Sequence, residues 1–299
     1  KRSDSYQSEA ALEQEFIRLL CEQGYEYLPI HTEKDLIANL RKKLEELNNY
    51  QFSDTEWDDF FKNAVANPNE HIVEKTRKIQ EDNVQVLTRD DGSSKNITLI
   101  DKKNIHNNRL QVINQYKVNA ATGIREGSLG CVIGTENGAK HDNRYDVTVL
   151  VNGLPLVHIE LKRRGVAIRE AFNQINRYQR DSFWAGCGLY EYIQIFVISN
   201  GTNTKYYSNS TRRNAEKEHE KRGASKTKTS NSFEFTCFWA DANNRVIPDL
   251  IDFTKTFFAK HTILNILTKY CIFTSEDMLM VMRPYQITAT ERILNRIEI

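Results

Sequence analysis

The chain has 299 residues, of which 39% are hydrophobic and 27% charged, and its formal net charge is only +1. This composition is ordinary for a globular protein that buries a sizeable core. Because the charges nearly cancel, a surface that binds nucleic acid must be locally rather than globally basic. No apolar run approaches the roughly 20 residues that a membrane-spanning helix needs, so we expect no membrane association. The chain begins at Lys1 without a methionine, and we expect a fragment of a longer protein.

The five cysteines are odd in number and far apart in sequence, and none belongs to a Cys-x-x-Cys pair. This usage argues against a zinc site and against a disulfide framework. Reduced thiols and a cytoplasmic location are therefore expected.

The first 80 residues carry helical patterns. Apolar residues recur at helical spacing within 8–23 and again within 36–47. Thr32 and Ser53 are each followed three residues later by an acidic residue, which is the pattern of a capping box at a helix start.

From about residue 83 the apolar period changes to two, which predicts strands. The predicted strands are 83–89, 96–100, 110–118, 145–151, 154–161, 193–199 and 232–239, and the later predicted helices are 168–181 and 249–273. Residues 211–230 are charged and nearly free of apolar side chains, which predicts a solvated loop. This order of elements predicts an α/β fold, with a mixed sheet of the α+β kind flanked by helices.

Asn152-Gly153 is the strongest hairpin signal in the chain. On the strand that follows, alternation places His158, Glu160 and Lys162 on one face. A carboxylate and an ammonium group at the end of an otherwise apolar strand are costly to bury without a partner or a task.

Whether Asp146 shares that face depends on the length of the hairpin loop. A two-residue turn pairs Asp146 with Ile159 and leaves Asp146 and Glu160 on opposite faces. A three-residue loop over 151–153, with Gly153 left-handed in a bulge, pairs Asp146 with His158 instead. Two carboxylates could then share one cation, so we predict this bulge. A two-residue turn with no compensating irregularity would rule the site out.

The residue types suit phosphodiester hydrolysis. Carboxylate oxygens select Mg²⁺ or Mn²⁺, and a nearby lysine orients the attacking water or stabilises the transition state. The alternative is a structural ion pair, and Asp101-Lys102-Lys103 fits the same short pattern beside a turn. Gln174 and Tyr178 follow at i and i+4 on the next helix, where they can support Lys162 or a phosphate.

Several arginines and one histidine near the hairpin are further candidates. Arginines after Lys162 and on the next helix predict a local basic rim for phosphate contacts, with Arg163, Arg164 and Arg177 as its main members and Arg169 and Arg180 beside them. His158 is expected to be a surface imidazole or a supporting one.

Asp146, Glu160-Leu161-Lys162 and Gln174-x-x-x-Tyr178 together resemble the PD-(D/E)xK nuclease signature of the RecB-like branch. Tyr145 stands where many relatives have the proline. More narrowly, residues 152–162, NGLPLVHIELK, resemble the nuclease region of the R subunits (restriction and motor subunits) of type I restriction enzymes. Residues 9–13 and 23–27 are similar to the start of that family, and 282–289 resemble the segment before the first motif of superfamily-two helicases.

The resemblance implies a PD-(D/E)xK core in an endonuclease domain over 1–260. A connecting helical segment and the first residues of a RecA-like motor domain would follow over 261–299. It implies Asp146, Glu160 and Lys162 as catalytic residues, with Asp146 and Glu160 binding Mg²⁺ or Mn²⁺. Supporting roles fall to Gln174, Tyr178 and an acid on the first helix, for which Glu13 is the first candidate and Glu9 the second.

Gln286 matches a glutamine that contacts adenine in such motors. The chain has no Gly-x-x-x-x-Gly-Lys-Ser/Thr loop, so ATP is expected only in the full-length subunit. The implied partners are double-stranded DNA and the methyltransferase and specificity subunits of the same complex. Two alternatives stay open, a catalytically silent nuclease-like module for DNA binding or assembly and a stand-alone RecB-like nuclease.

Overall fold

The computed structural model describes residues 8–118, 142–210 and 231–297. The helices in these ranges are α1 (Glu9–Glu22), α2 (Glu33–Asn48), α3 (Asp54–Phe60), α4 (Ile72–Gln80), α5 (Ile168–Asp181), α6 (Leu250–Phe257), α7 (Lys260–Thr268) and α8 (Pro284–Ile297). The strands are β1 (Glu26–Tyr27), β2 (Val84–Thr88), β3 (Ser94–Thr98), β4 (Leu110–Val118), β5 (Asn143–Val151), β6 (Leu154–Leu161), β7 (Ile195–Ser199), β8 (Thr204–Ser208), β9 (Cys237–Ala240), β10 (Val246–Ile247), β11 (Cys271–Phe273) and β12 (Leu279–Val281).

Eight of these strands form one mixed sheet in the order β1-β4-β5-β6-β7-β8-β9-β10. Strand β1 pairs with β4 in parallel, whereas β4 with β5 and β7 with β8 pair antiparallel. Two separate hairpins, β2-β3 and β11-β12, stand outside this sheet. The predicted mixed sheet with accompanying helices is confirmed.

The chain divides into two compact units. The first unit comprises Lys1–Gly24, Ile159–Asn173 and Gln194–Ile299, and the second comprises Tyr25–His158 and Gln174–Ile193. In the first unit the Phe16 ring packs against Phe258 at 5.4 Å, which joins α1 to the end of α6. In the second unit the core includes fully buried side chains of α2 and β5, such as Leu40 and Val149.

The predicted helix starts are confirmed at both capping sequences. The Ser53 hydroxyl accepts a hydrogen bond from the Glu56 N–H, and the Glu56 carboxylate accepts one from the Ser53 N–H, each at 3.1 Å. Thr32 begins α2 with half of this arrangement, since its hydroxyl accepts from the Asp35 N–H at 3.3 Å. These side chains satisfy N–H groups that have no partner within the first helical turn.

Two predicted elements are partly wrong. The strand predicted over 232–239 begins only at Cys237, because residues 231–235 form a short 3-10 helix. The helix predicted over 249–273 is two helices and a strand. Ala259 has ψ of 130°, which ends α6 before α7 begins, and Cys271–Phe273 pairs with β12. Apolar spacing does not reveal this break, because the buried residues of both helices keep a helical period.

The loop predicted over 211–230 lies outside the described residues. Among the helices that are described, none has the length and apolar content required to cross a bilayer.

Candidate active site

The hairpin turn differs from the prediction. Strand β5 ends at Val151 and β6 begins at Leu154, so the loop has two residues, Asn152 with φ +52° and Gly153 with φ +85°. Two consecutive left-handed residues are typical of a type I′ turn, and the predicted three-residue bulged loop is wrong.

Local contacts favour this shorter turn. The Asn152 side chain accepts from the Arg109 N–H and donates to the Asn108 side chain, both at 2.8 Å, which stabilises its left-handed backbone. A Cβ at Gly153 would lie 2.6 Å from Leu40 Cα, so α2 approaches too closely for any other residue.

A different irregularity lies at Asp146 itself. Tyr145 and Thr148 both contact Tyr190. The ring centroids of Tyr145 and Tyr190 are 4.6 Å apart, and the hydroxyl oxygens of Thr148 and Tyr190 are 3.3 Å apart. Residues three apart on a regular strand would face opposite sides, so β5 is irregular between them. On the neighbouring strand β4, Asn114 pairs with Val147 and Tyr116 pairs with Tyr145, but Gln115 and Asp146 between them do not form a regular pair. Gln115 also has a left-handed backbone, with φ of +53°. The strand therefore departs from regular alternation where the predicted acid lies.

His158 lies in the second unit, as Asp146 does. The His158 side chain is fully buried and Asp146 is 8% exposed. His158 Nδ1 lies 3.3 Å from the Thr148 hydroxyl. Burial lowers the pKa of His158 to about 4, although the negative charge of Asp146 opposes this shift. A surface position for this imidazole is thus wrong, and at neutral pH the ring is uncharged.

The Gln174–Tyr178 pair anchors α5 to strand β5. Gln174 donates to the Tyr178 hydroxyl, and that hydroxyl donates to the Arg144 carbonyl at 2.9 Å. Tyr178 is only 1% exposed, and its ring packs against Tyr145 at 4.8 Å. This contact chain holds the backbone two residues before Asp146, so the pair supports β5 from its buried side.

In the first unit, Glu160 and Lys162 form an ion pair at the end of β6. The Glu160 side chain is fully buried, and its Oε1 lies 3.1 Å from Lys162 Nζ. The Lys162 N–H donates to the Ser199 carbonyl at 2.8 Å, which ties this strand end to β7. Alternating burial along β6 is not seen, because all eight of its residues are buried.

Helix α1 brings a second carboxylate to Lys162. Glu9 Oε1 lies 3.5 Å from Lys162 Nζ, and the Glu9 side chain is 44% exposed. Glu13 lies one turn further along α1 and is buried. The ion pair with Lys162 thus involves the second candidate acid of this helix.

The arginines of the predicted basic rim differ in exposure. Arg163 and Arg177 are exposed, and the Arg177 guanidinium lies 5.5 Å from the Tyr178 ring centroid. Arg164 is half-buried, with its side chain covering Gly201, where a Cβ would lie 3.2 Å from Arg164 Cγ. Exposed guanidinium groups are the better placed for phosphate contacts.

Two other positions have local structural roles. Asp101, in the short pattern that resembles the site, accepts from the N–H groups of Lys103 and Asn104 at 3.0 and 2.8 Å, as a turn residue does. The Gln286 side chain accepts from the Arg283 N–H at 2.8 Å near the start of α8.

The donor set suits a hard cation. No group of three or more histidine, cysteine, aspartate or glutamate side chains converges among the residues that the structure covers, so a cage built only from such protein ligands is not found there. Mg²⁺ does not need one, because it binds through one or two carboxylates and keeps waters and substrate oxygens as its other ligands. Asp146 and Glu160 are each buried, and each has the carboxylate oxygens that such a cation prefers as ligands.

Sequence reasoning missed Tyr207. It lies on β8, a strand that was not predicted, with its ring 5.1 Å from Phe172 and 5.4 Å from Phe196. Burial, and then the negative charge of Glu160, raise the pKa of Tyr207 well above its usual value. The aromatic pair Tyr206-Tyr207 after Asn200-Gly201 is the signal that could have indicated a strand leaving a turn.

Comparison with known proteins extends this picture. Residues 6–215 match the family described as type I restriction enzyme R protein N terminus. Over all 299 residues the chain is 49% identical to the type I restriction enzyme EcoprrI endonuclease subunit of Escherichia coli, covering 85% of that protein. It is also 35% identical to the SsaAORF53P endonuclease subunit of Staphylococcus saprophyticus and 34% identical to the SauMSSORF170P endonuclease subunit of Staphylococcus aureus. These alignments span 97% and 98% of the chain but only 27% of each staphylococcal protein.

Proposed function

Because the chain belongs to the N-terminal family of type I restriction enzyme R proteins, we propose that it is a Mg²⁺-dependent endonuclease that hydrolyses phosphodiester bonds of double-stranded DNA. The observation that carries the proposal is the fully buried Glu160 carboxylate beside Lys162 Nζ, at the strand end where the nuclease motif places both. A structural ion pair alone gives no reason for a family motif that spans Asp146, Glu160 and Lys162.

We assign the two carboxylates to the cation and the lysine to the reacting phosphate. Asp146 and Glu160 would hold Mg²⁺ or Mn²⁺, which when bound makes a water more acidic and offsets charge on phosphorus. Lys162, released from part of its ion pairing, would orient the attacking water or donate to a phosphoryl oxygen. The neutral imidazole of His158 adds no positive charge to compete with a cation near Asp146.

DNA would be held by exposed positive charge. Arg163 and Arg177 are exposed and Arg164 is half-buried, and we propose that they contact phosphates without reading sequence. Gln174 and Tyr178 would act indirectly, by fixing β5 at Arg144.

The remaining expectations concern a longer protein. We propose that the full-length subunit works in the cytoplasm, binds ATP and translocates DNA together with methyltransferase and specificity subunits. Gln286 would contact adenine there, after release from its hydrogen bond with the Arg283 N–H. The boundary between an endonuclease domain over 1–260 and a segment leading to the motor over 261–299 remains a prediction.

The test is DNA cleavage by the complete assembled enzyme. Asp146→Asn, Glu160→Gln and Lys162→Met should each slow Mg²⁺-dependent cleavage by about a hundredfold or more, since each removes a group that acts on the transition state. Translocation, measured in the same reaction by displacement of a bound third strand, should stay near the wild-type rate.

Asp101→Asn is the matched control, because its short sequence pattern is the same but its carboxylate serves a turn. This variant should cleave like the wild type. If all three site variants still cut DNA while translocating, the site assignment is wrong. If the wild type translocates and never cuts in Mg²⁺ or Mn²⁺, the chain is a catalytically silent nuclease-like module instead.

A further inference from the structure

Tyr207 occupies a position that its packing does not explain. Its ring lies between Phe196 on β7 and Phe172 on α5, both in the first unit. A phenylalanine would make the same ring contacts. The hydroxyl therefore calls for a separate reason.

That hydroxyl is buried and has no hydrogen-bond partner among the residues that the structure describes. Leaving a buried donor unsatisfied costs stability comparable to a lost hydrogen bond, and such groups are rare in native proteins. The neighbouring Tyr206 differs in this respect, because its hydroxyl donates to the Met282 carbonyl at 3.1 Å. The two adjacent tyrosines thus differ. The Tyr206 hydroxyl has a structural hydrogen bond, whereas the Tyr207 hydroxyl has no acceptor among the described residues.

The strand order indicates the acceptor, because Glu160 lies on β6 and Tyr207 lies on β8, and these two strands border β7 on either side. The Glu160 carboxylate contributes to the raised pKa of Tyr207, so the two groups are within electrostatic reach inside the first unit. A phenol is uncharged at neutral pH, so Tyr207 can offer a carboxylate one hydrogen-bond donor. In the structure Glu160 Oε1 instead faces Lys162 Nζ at 3.1 Å.

We propose that Tyr207 is a positioning residue, whose hydroxyl donates to the Glu160 carboxylate when that carboxylate turns from Lys162 to a divalent cation. The inference rests on the proposed function of Glu160. A hydrogen bond from a phenol would hold one oxygen of Glu160 in place while the other binds the cation, as groups around metal ligands commonly do.

The experiment measures cation binding and stability separately, on this 299-residue chain without DNA. Titration calorimetry with Mn²⁺ should give a Kd about tenfold weaker for Tyr207→Phe than for the wild type, within the range found when a residue that orients a metal ligand is removed. Tyr206→Phe is the matched control and should bind Mn²⁺ within about twofold of wild type. In thermal melts without cation, Tyr206→Phe should lower Tm because the Met282 carbonyl loses its donor, whereas Tyr207→Phe should not lower it.

The inference is overturned if Tyr207→Phe binds Mn²⁺ like the wild type, or if it lowers Tm as much as Tyr206→Phe does. Glu160→Gln separates this failure from failure of the proposed function. If Glu160→Gln loses Mn²⁺ binding and Tyr207→Phe keeps it, only the role of Tyr207 is wrong. If the wild type binds no Mn²⁺, or if Glu160→Gln binds it normally, the proposed cation site is wrong. The inference about Tyr207 is then wrong as well.

Discussion

Two buried glutamates, one in each unit of the chain, are stabilised in different ways. Glu56 in the second unit is 6% exposed, and Glu160 in the first unit is fully buried. A carboxylate removed from water must be hydrogen-bonded or paired with a charge to remain ionised. Glu56 and Glu160 show these two solutions side by side in one protein.

Glu56 is held by neutral donors. The Tyr50 hydroxyl lies 2.8 and 2.7 Å from its two oxygens, and the N–H groups of Ser53 and Asp90 donate to it at 3.1 and 3.2 Å. These contacts join the start of α3 to the turn between β2 and β3. Such a carboxylate has a fixed geometry, and its role is structural.

Glu160 is balanced by a positively charged side chain. Lys162 Nζ lies 3.1 Å from Glu160 Oε1, and the lysine is a flexible side chain with 11% of its surface exposed. An ammonium group can leave and be replaced by a metal ion, whereas backbone N–H groups cannot. The comparison teaches that burial alone does not distinguish a candidate catalytic acid from a structural one, and that the kind of partner is the more informative feature.

The largest stability effect expected from this contrast is at Lys162. Lys162→Met should lower the free energy of unfolding by about 3 kcal/mol, because it leaves the buried Glu160 carboxylate without its cation. Urea unfolding at pH 7 measures the change. Lys269→Met is the control, since its ion pair with Glu291 is about half exposed and should contribute less than about 1 kcal/mol.

Adding Glu160→Gln to Lys162→Met should restore most of the lost stability, because the pair is then removed together. If Lys162→Met and Lys269→Met lower the free energy of unfolding equally, Glu160 does not differ from an ordinary surface acid.

A smaller effect is expected at Glu56. Glu56→Gln should lower the free energy of unfolding by about 1–2 kcal/mol at pH 7, because the capping box loses its charged acceptor. The hydrogen bond from Tyr50 lowers the pKa of Glu56, and those from Ser53 and Asp90 add to this against the effect of burial. A lowered pKa means that the stabilisation is present above the unfolded-state pKa and is lost as the pH falls through the folded-state pKa.

The difference between wild type and Glu56→Gln should therefore shrink in unfolding curves taken below about pH 4. Cleavage by the assembled enzyme should be unaffected at pH 7. A cleavage defect in Glu56→Gln as large as that of Glu160→Gln would contradict the structural role.

The same contrast shows how far sequence reasoning reaches. The Ser53 capping box and the bounds of β4, β6 and α5 follow from local patterns, and the structure confirms them. The turn at 152–153 does not follow from a local pattern alone. Whether Asn152-Gly153 forms two or three loop residues depends on the approach of Leu40, which is distant in sequence.

The surroundings of the candidate site were harder to predict for a related reason. The irregularity at Asp146 is matched by Gln115 on the neighbouring strand. Tyr207 lies on a short strand whose sequence signal is limited to the Asn200-Gly201 turn and the aromatic pair that follows it. Periodicity assigns faces only where strands alternate regularly. The motif therefore predicts Asp146 and Glu160 as candidate acids, whereas the backbone irregularity beside Asp146 is visible only in the fold.

The smallest effect is expected at Glu9, the exposed partner of the same lysine. Glu9 Oε1 lies 3.5 Å from Lys162 Nζ and is 44% exposed, so solvent screens the attraction. Glu9→Gln should cost less than about 1 kcal/mol at low salt, and the cost should vanish at high ionic strength. The cost of Lys162→Met should persist there, since Glu160 is shielded from ions by burial. Urea unfolding of both variants at low and high NaCl makes the comparison, and a salt-insensitive loss at Glu9 would mean that this acid belongs with Glu160 at the site and not on the surface.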